Sequence, residues 1–120
     1  MEVKKEYLAT YSYGYGADVS VWEIDVDGFP LTSYPLALSV NQVNHSATRF
    51  AWGYRGSGSA LLAFAILCDH LNDPEKALDL FQEFNADVIA LLDSNEGWTL
   101  TEDQIESAIT AMHARRMALV

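Results

Sequence analysis

Residues 60–71 read Ala-Leu-Leu-Ala-Phe-Ala-Ile-Leu-Cys-Asp-His-Leu, and this stretch decides the fold because it is apolar on nearly every side. A helix that is hydrophobic all round is buried, so other parts of the chain must cover it. The longest apolar run, 60–68, is far below the ~20 residues that a membrane span needs. The stretch therefore predicts the central helix of a globular core.

Two further helices are predicted on the C-terminal side of this core helix. Asp73-Pro74 supplies an N-cap residue and a proline at the first helical position. Apolar side chains then recur at the 4-3-4-3 spacing of a helix: Ala77, Phe81, Phe84, Val88 and Leu91. Residues 101–104, Thr-Glu-Asp-Gln, have the form of a capping box that opens the third helix. The buried stripe predicted for that helix is Ile105, Ile109 and Met112.

The N-terminal half has the patterns of β-strands. Residues 7–15 are rich in aromatic side chains, and residues 19–26 alternate, with Trp22, Ile24 and Val26 on one apolar face. Asp27-Gly28 predicts a tight turn, and prolines at positions 30 and 35 interrupt the chain after it. Residues 36–43 and 49–54 are predicted as a third and a fourth strand.

These elements predict an α+β fold in which a small N-terminal antiparallel sheet of three to four short strands is packed by three C-terminal helices. We expect one domain over residues 1–120, because compact domains commonly have about 100–150 residues. Within it, residues 1–55 are the strand-rich part and residues 57–118 the helical part.

Charge and cysteine content exclude several classes of function. The chain has 17 acidic and 7 basic residues, a net charge of −10. Nucleic acids are bound largely through Lys and Arg on phosphates, so direct nucleic-acid binding is disfavoured and basic protein surfaces are the expected partners. The single cysteine, Cys68, forms no intramolecular disulfide. The N-terminus has no apolar segment of a signal peptide, so we expect a cytoplasmic protein.

A glycine-rich stretch, residues 52–59 (Trp-Gly-Tyr-Arg-Gly-Ser-Gly-Ser), leads into the core helix. Glycines let backbone N–H groups approach a ligand, and the N-terminus of a helix favours an anion. The spacing matches neither the Walker phosphate loop nor the dinucleotide-binding fingerprint. A tight strand-to-helix turn with Ser57 or Ser59 as N-cap is the structural alternative. The candidate ligand-binding residues are Gly53, Arg55, Gly56, Ser57 and Gly58.

Two surfaces are candidates for protein interaction. The second helix carries a row of carboxylates at four-residue spacing, with only Lys76 nearby in sequence: Glu75, Asp79, Glu83 and Asp87. The row is either a docking ridge for a basic surface or a solvated helix face. Near the N-terminus, Tyr11, Tyr13 and Tyr15 alternate on one strand face, where they form an aromatic binding surface or pack under the helices.

No catalytic or metal-binding constellation is recognisable. The three histidines, His45, His70 and His113, are scattered, and Cys68 lies inside the apolar helix. Residues 23–28 resemble the start of a calcium loop, but the twelfth position is Tyr34 where a glutamate is required, so a hairpin is favoured. We expect no catalytic residue, no metal and no cofactor.

One family resemblance follows from specific residues. Asn44-His45-Ser46, Phe50-Ala51-Trp52-Gly53-Tyr54, Gly56-Ser57-Gly58 and Trp98-Thr99-Leu100-Thr101 resemble an uncharacterised family of short domain-of-unknown-function proteins. That family occurs in bacteria, plasmids and phages, and the resemblance covers roughly residues 11–110. It brings no established activity but implies an accessory gene of mobile elements, expressed in a bacterial cytoplasm. The family often has glycine where Arg55 stands and proline where Ser59 stands.

Three functional hypotheses follow. The favoured one is a non-enzymatic phage or mobile-element accessory protein that docks on a basic host protein through its acidic and aromatic surfaces. Its sharpest form is an inhibitor of a nucleic-acid-handling or defence complex. The alternative is a domain that binds a small anion or phosphate ligand at residues 53–59. The third is an enzyme of unrecognised type.

Overall fold

The computed structural model of the protein describes residues 2–10, 18–37 and 49–119, and these residues form an α+β fold. An antiparallel sheet of four strands is packed by three helices, as predicted. In chain order the elements are β1 (Lys4–Thr10), β2 (Asp18–Ile24), β3 (Pro30–Pro35), α1 (Ser57–Leu71), α2 (Pro74–Asp87), a 3₁₀ turn (Ile89–Leu91), β4 (Trp98–Thr101) and α3 (Glu102–Ala118). None of these helices is long and apolar enough to cross a membrane.

The sheet has the strand order β3-β2-β1-β4, with each neighbouring pair antiparallel. A hairpin joins β2 to β3, and the Asp25 carboxylate accepts hydrogen bonds from the backbone N–H groups of Asp27 and Phe29, both at 2.9 Å. Gly28 adopts a φ of +87°, which glycine tolerates without strain. The hairpin interpretation of residues 23–28 is therefore confirmed, and the Asp25 carboxylate stabilises the turn.

Three strand predictions need correction. A strand that was not predicted lies at Pro30–Pro35; its prolines stand at the two ends of an edge strand, where a missing N–H is tolerated. Of the strand predicted over 36–43, residues 38–43 lie outside the described part of the chain. Residues 49–54 form no strand, and Ala51 N–H instead donates to the carbonyl of Gly58 at 3.2 Å. The fourth strand, Trp98–Thr101, comes just before α3 and was not predicted. The first strand begins at Lys4 and is described as far as Thr10.

The helices cover the opposite face of β2 from the one predicted. Cross-strand pairing places Tyr7 of β1 opposite Val21 of β2, and both side chains are fully buried. Because side chains alternate along a strand, Trp22 and Ile24 then point to the other face, where they are half-buried. Val26 lies beyond the strand at the hairpin and is 66% exposed. The predicted apolar face was therefore wrong.

The three helices form where the sequence patterns predict them. Residues 58–67 of α1 are all buried, which confirms the central core helix. Asp73 caps α2 by accepting from the N–H groups of Glu75 and Lys76, and Thr101 and Gln104 form the capping box of α3. The predicted stripe of α3 is buried throughout, whereas that of α2 ends at Phe84. Leu91 is exposed because α2 stops at Asp87 and a 3₁₀ turn follows it.

A polar cluster anchors the last turn of α1 to the sheet. The Asp69 carboxylate accepts hydrogen bonds from the hydroxyls of Tyr7 (2.5 Å) and Tyr34 (2.6 Å), and it pairs with Lys5 Nζ at 3.1 Å. Its side chain is 16% exposed. Burial raises the pKa of Tyr7, and the hydrogen bond to Asp69 raises it further, so that this tyrosine remains a neutral donor. One carboxylate thus connects α1 to β1 and β3.

Replacing Asp69 with Asn is expected to lower the free energy of unfolding by about 2–3 kcal/mol, as measured by urea denaturation. A hydrogen bond to a charged group contributes about 1.5–3 kcal/mol to stability. In the wild-type protein the donors share two carboxylate oxygens, whereas an asparagine amide offers them one oxygen. Asp103→Asn is the matched control, since Asp103 also pairs with a lysine, Lys4, at 3.1 Å but on the exposed surface. That variant should lose far less stability. Equal losses in the two variants would contradict the anchoring role of Asp69.

Candidate functional site

The N-terminus of α1 lines one side of a surface cavity of about 430 Å³ that is open to solvent. α1 and α2 are joined by a short connection in which Asn72 has a left-handed φ of 52°, so the C-terminal half of α2 returns to the start of α1. The described lining includes Arg55, Gly56 and Ser57 on one side and Gln82, Asn85 and Ala86 of α2 on the other. The glycine-rich stretch is therefore one wall of a cavity whose other wall is distant in sequence.

Among the described residues, no side chain caps the N-terminal turn of α1. Gly56 is the N-cap residue, and its carbonyl accepts from Ala60 N–H at 2.9 Å. The N–H groups of Ser57, Gly58 and Ser59 have no acceptor within the helix, because the first turn of any α-helix lacks one. No acidic residue lies in this turn. The expectation that Ser57 or Ser59 is the N-cap was wrong, since the helix already begins at Ser57.

Asn85 contributes an unpaired polar group to the facing wall. The residue lines the cavity but is only 5% exposed, and its buried Oδ1 has no hydrogen-bond partner among the described residues. A buried polar atom without a partner costs about 1–3 kcal/mol. The terminal torsion of an asparagine is broad, so the amide can present its oxygen or its nitrogen to a neighbour.

Arg55 is the charged residue among the described residues that line the cavity. α2 ends at Asp87, beside the cavity, and the last carbonyl groups of a helix carry a partial negative charge. This charge opposes the positive end of the α1 dipole. The cavity therefore depends on the guanidinium of Arg55 for a net attraction to anions.

Two of the predicted glycines serve packing and do not line the cavity. Gly53 has a φ of +88°, and a Cβ there would lie 2.7 Å from the backbone nitrogen of Ser94. A Cβ at Gly58 would lie 2.8 Å from the Cβ of Ala51. Gly53 and Gly58 thus let neighbouring segments approach the loop closely. Arg55, Gly56 and Ser57 are the candidate residues that the structure brings to the cavity.

The acidic row on α2 is largely paired within the protein. Arg115, in the last turn of α3, bonds Glu83 (2.9 Å) and Asp87 (2.8 Å). Arg116 bonds Asp79 at 2.8 Å and Glu83 at 2.6 Å. Lys76 is the one basic residue near the row in sequence, but α3 brings two arginines to it that are distant in sequence. Among the described ion pairs, Glu75 has none.

The other candidates give no chemical centre in the described residues. Tyr11, Tyr13, Tyr15 and His45 lie outside the described part of the chain. His70 Nε2 contacts the Glu106 carboxylate between α1 and α3, while its buried Nδ1 has no partner. Within residues 2–10, 18–37 and 49–119, no three His, Cys, Asp or Glu side chains converge on a possible metal position.

A comparison with protein families assigns the chain to one family. The model of a family of unknown function, DUF6166, matches residues 17–111, and the chain belongs to that family. The matched range includes both walls of the cavity and all of α1 and α2. No curated protein and no solved structure matches the chain. The resemblance to an uncharacterised family is confirmed, and the family brings no activity with it.

The arginine pairs predict an acid-dependent loss of stability. Hydrogen bonds from Arg115 and Arg116 hold the pKa of Glu83 below its usual range. A lowered folded-state pKa stabilises the protein above the unfolded-state pKa, about 4.3, and this contribution is lost as pH falls through the folded-state pKa. Urea denaturation between pH 6 and pH 3 should therefore show a steeper loss for the wild-type protein than for Glu83→Gln.

Glu75→Gln is the control for this titration, because Glu75 belongs to the same row but forms no ion pair among the described residues. It should keep the pH dependence of the wild-type protein. The same slope in all three proteins would show that the pairs on α2 and α3 contribute nothing to stability.

Proposed function

We propose that this member of the family binds a small anion, of the phosphate class, in the cavity between the N-terminus of α1 and the C-terminal half of α2. The observation that carries the proposal is the convergence of Arg55 with Gly56 and Ser57, at the N-terminus of α1, on one cavity. The glycine-rich stretch suggested the same function as an alternative hypothesis: binding of a small anion or phosphate ligand at residues 53–59. The geometry favours it over the other hypotheses.

The chemistry of the wall suits a phosphate group. Free N–H groups at a helix N-terminus point at an anion, and the helix dipole adds a partial positive charge. A guanidinium can donate two parallel hydrogen bonds to phosphate oxygens, which a lysine cannot. A volume of about 430 Å³ falls within the range of about 300–1,000 Å³ that is usual for ligand pockets.

We propose binding without catalysis. The described lining has one hydroxyl, Ser57, and it has no His, Cys, Asp or Glu that could serve as a general base beside it. Acyl or phosphoryl transfer would require such a partner within hydrogen-bond reach of the nucleophile. The role that fits these residues is therefore that of a sensor or carrier of the ligand.

Docking on a basic host protein is a second candidate, in keeping with an accessory role for a phage or mobile element in a bacterial cytoplasm. It is favoured by the net charge of −10 and by Glu75, which α3 does not neutralise. It is weakened by the internal pairing of Asp79, Glu83 and Asp87. A pull-down of tagged protein from host lysate tests it: one stoichiometric partner released by high salt, and retained less well by Glu75→Gln, is the expected result. Binding that is changed neither by high salt nor by Glu75→Gln would contradict docking on a basic host protein.

Arg55→Ala is expected to remove anion-dependent stabilisation. At a phosphate concentration ten times the dissociation constant, a ligand that binds only the folded state adds about 1.4 kcal/mol, which raises the melting temperature by about 5 °C. Differential scanning fluorimetry against phosphate, sulfate and small phosphate esters should show this increase for the wild-type protein and little or none for Arg55→Ala.

Lys76→Ala is the matched control, because it removes one exposed positive charge at the other end of α2 and leaves the cavity untouched. It should respond to anions as the wild-type protein does. An equal response of Arg55→Ala and Lys76→Ala, or no response of the wild-type protein to any anion, would refute the site.

A further inference from the structure

Large apolar side chains are exposed on the hairpin that joins β2 to β3. Val26 and Phe29 are each 66% exposed, and Leu31 is 49% exposed. Turns are usually built from glycine, proline and small polar residues, because these residues adopt the required backbone conformations. Asp25 and Gly28 already fill those roles in this turn. The conformation of the turn therefore does not require the apolar side chains.

Hydrogen bonds fix the backbone that carries these side chains. The Asp25 N–H donates to the Phe29 carbonyl at 3.0 Å, and the Gly28 N–H donates to the Asp25 carbonyl at 3.1 Å. The Asp25 carboxylate accepts from the N–H groups of Asp27 and Phe29. A surface that is already held in one conformation loses less entropy on binding than a flexible loop does. Phe29 is thus presented by a preorganised turn.

A β-bulge follows the turn on the edge strand β3. Pairing with β2 passes from Thr32 directly to Pro30 and leaves Leu31 as the extra residue. A bulge bends its strand and changes the direction in which the side chain at that place points. The exposed apolar surface consequently continues from the turn into β3. We call residues 25–31 the hairpin tip.

The surroundings of the hairpin tip are negatively charged. Asp25 and Asp27 belong to the turn, and Glu2 lines a shallow depression beside Val26. Within residues 2–10, 18–37 and 49–119, none of these three carboxylates forms an ion pair. Lys4 lines the same depression but already forms an ion pair with α3. This excess of negative charge repels nucleic acids, anionic membranes and a second copy of the acidic chain, whereas it attracts a basic protein surface.

We infer that the hairpin tip is a docking surface for a protein that has an apolar groove bordered by lysine or arginine residues. Phe29 is the aromatic anchor that enters the groove, since aromatic side chains are enriched in the buried centres of interfaces and bury a large apolar area there. Val26 and Leu31 extend the apolar contact. The carboxylates of Asp27 and Glu2 pair with the basic border of the groove.

The hairpin tip and the anion cavity lie at opposite ends of the sheet. At the end of the hairpin tip, Ile24 of β2 pairs with Lys4 of β1, and at the other end Trp98 of β4 pairs with Ala9 of β1. Trp98 packs edge-to-face on Trp52, which begins the glycine-rich stretch before α1. The docking surface is therefore independent of the proposed anion-binding function, and each can fail without the other.

Site-specific photocrosslinking locates the partner. p-Benzoylphenylalanine replaces Phe29 in one full-length variant and Leu91 in a control variant, because Leu91 is 76% exposed and lies away from the hairpin in the 3₁₀ turn after α2. Both variants are irradiated in host lysate, and crosslinked proteins are identified by mass spectrometry. A product that forms at position 29 and not at position 91 is expected. If no such product forms, the inference is wrong.

Affinity measurements with the crosslinked protein, once purified, test the chemistry of the contact. In isothermal titration calorimetry, Phe29→Ser should weaken binding by about tenfold or more, as the loss of an interface anchor does. Leu91→Ser is the matched control and should bind as the wild-type protein does. High salt should weaken binding of the wild-type protein, and it should weaken binding of Asp27→Asn less. Equal affinities of Phe29→Ser and the wild-type protein, or an affinity that salt does not change, would contradict the inference.

Other occupants of the hairpin tip give different results, and each of these results overturns the inference. Co-sedimentation with vesicles of phosphatidylethanolamine and phosphatidylglycerol that is lost in Phe29→Ser would assign the hairpin tip to a membrane. A dimer that is seen by analytical ultracentrifugation and lost in Phe29→Ser would assign it to a second copy. Phosphate should stabilise Phe29→Ser as it does the wild-type protein, so the anion-binding function is tested separately.

Discussion

The burial of α1 on all sides constrains every other part of the structure. An apolar helix with no polar face is stable in water only when other elements cover it. Here α2 and the 3₁₀ turn contact α1, and its buried side chains share one core with those of the sheet. Burial fixes the helix rigidly, and Asp69 attaches its last turn to two strands. The first turn is thereby held in one place, beside the C-terminal half of α2. The candidate site is a consequence of this packing.

The distribution of charge supports the same site. The chain is strongly acidic, but Arg115 and Arg116 of α3 pair with Asp79, Glu83 and Asp87 along α2. These pairs compensate the carboxylates nearest to the cavity within the protein. Arg55 is bonded to none of the described carboxylates, so its charge is available to a ligand. A positive cavity can therefore exist in a protein of net charge −10.

The sequence predicts the helices correctly, but it does not predict all of the strands or the long-range contacts between the elements. Helix periodicity and the caps at Asp73 and Thr101 are local signals, and the structure confirms them. β4 was missed because four residues are too few to show a period, and β3 was missed because its prolines stand at the ends of an edge strand.

The contacts of Asp69, the arginine pairs of α2 and the second wall of the cavity join residues far apart in the chain. Asn85 occupies an ordinary position on an amphipathic helix, so nothing in its local sequence indicates that it faces Arg55. By contrast, Arg55, Gly56 and Ser57 were identified from sequence, because glycines before a helix are a local signal for close approach to its N-terminus.

The most direct test of this account is a titration of the isotope-labelled protein with inorganic phosphate, followed by two-dimensional NMR of its backbone amides. The amide signals of Gly56 and Ser57, which line the cavity, should shift most and saturate together, because their N–H groups would become hydrogen-bonded to the anion. Shifts that leave these two signals unchanged and concentrate on Arg115 and Arg116 would contradict it, since the anion would then be bound by α3 and not by the N-terminus of α1.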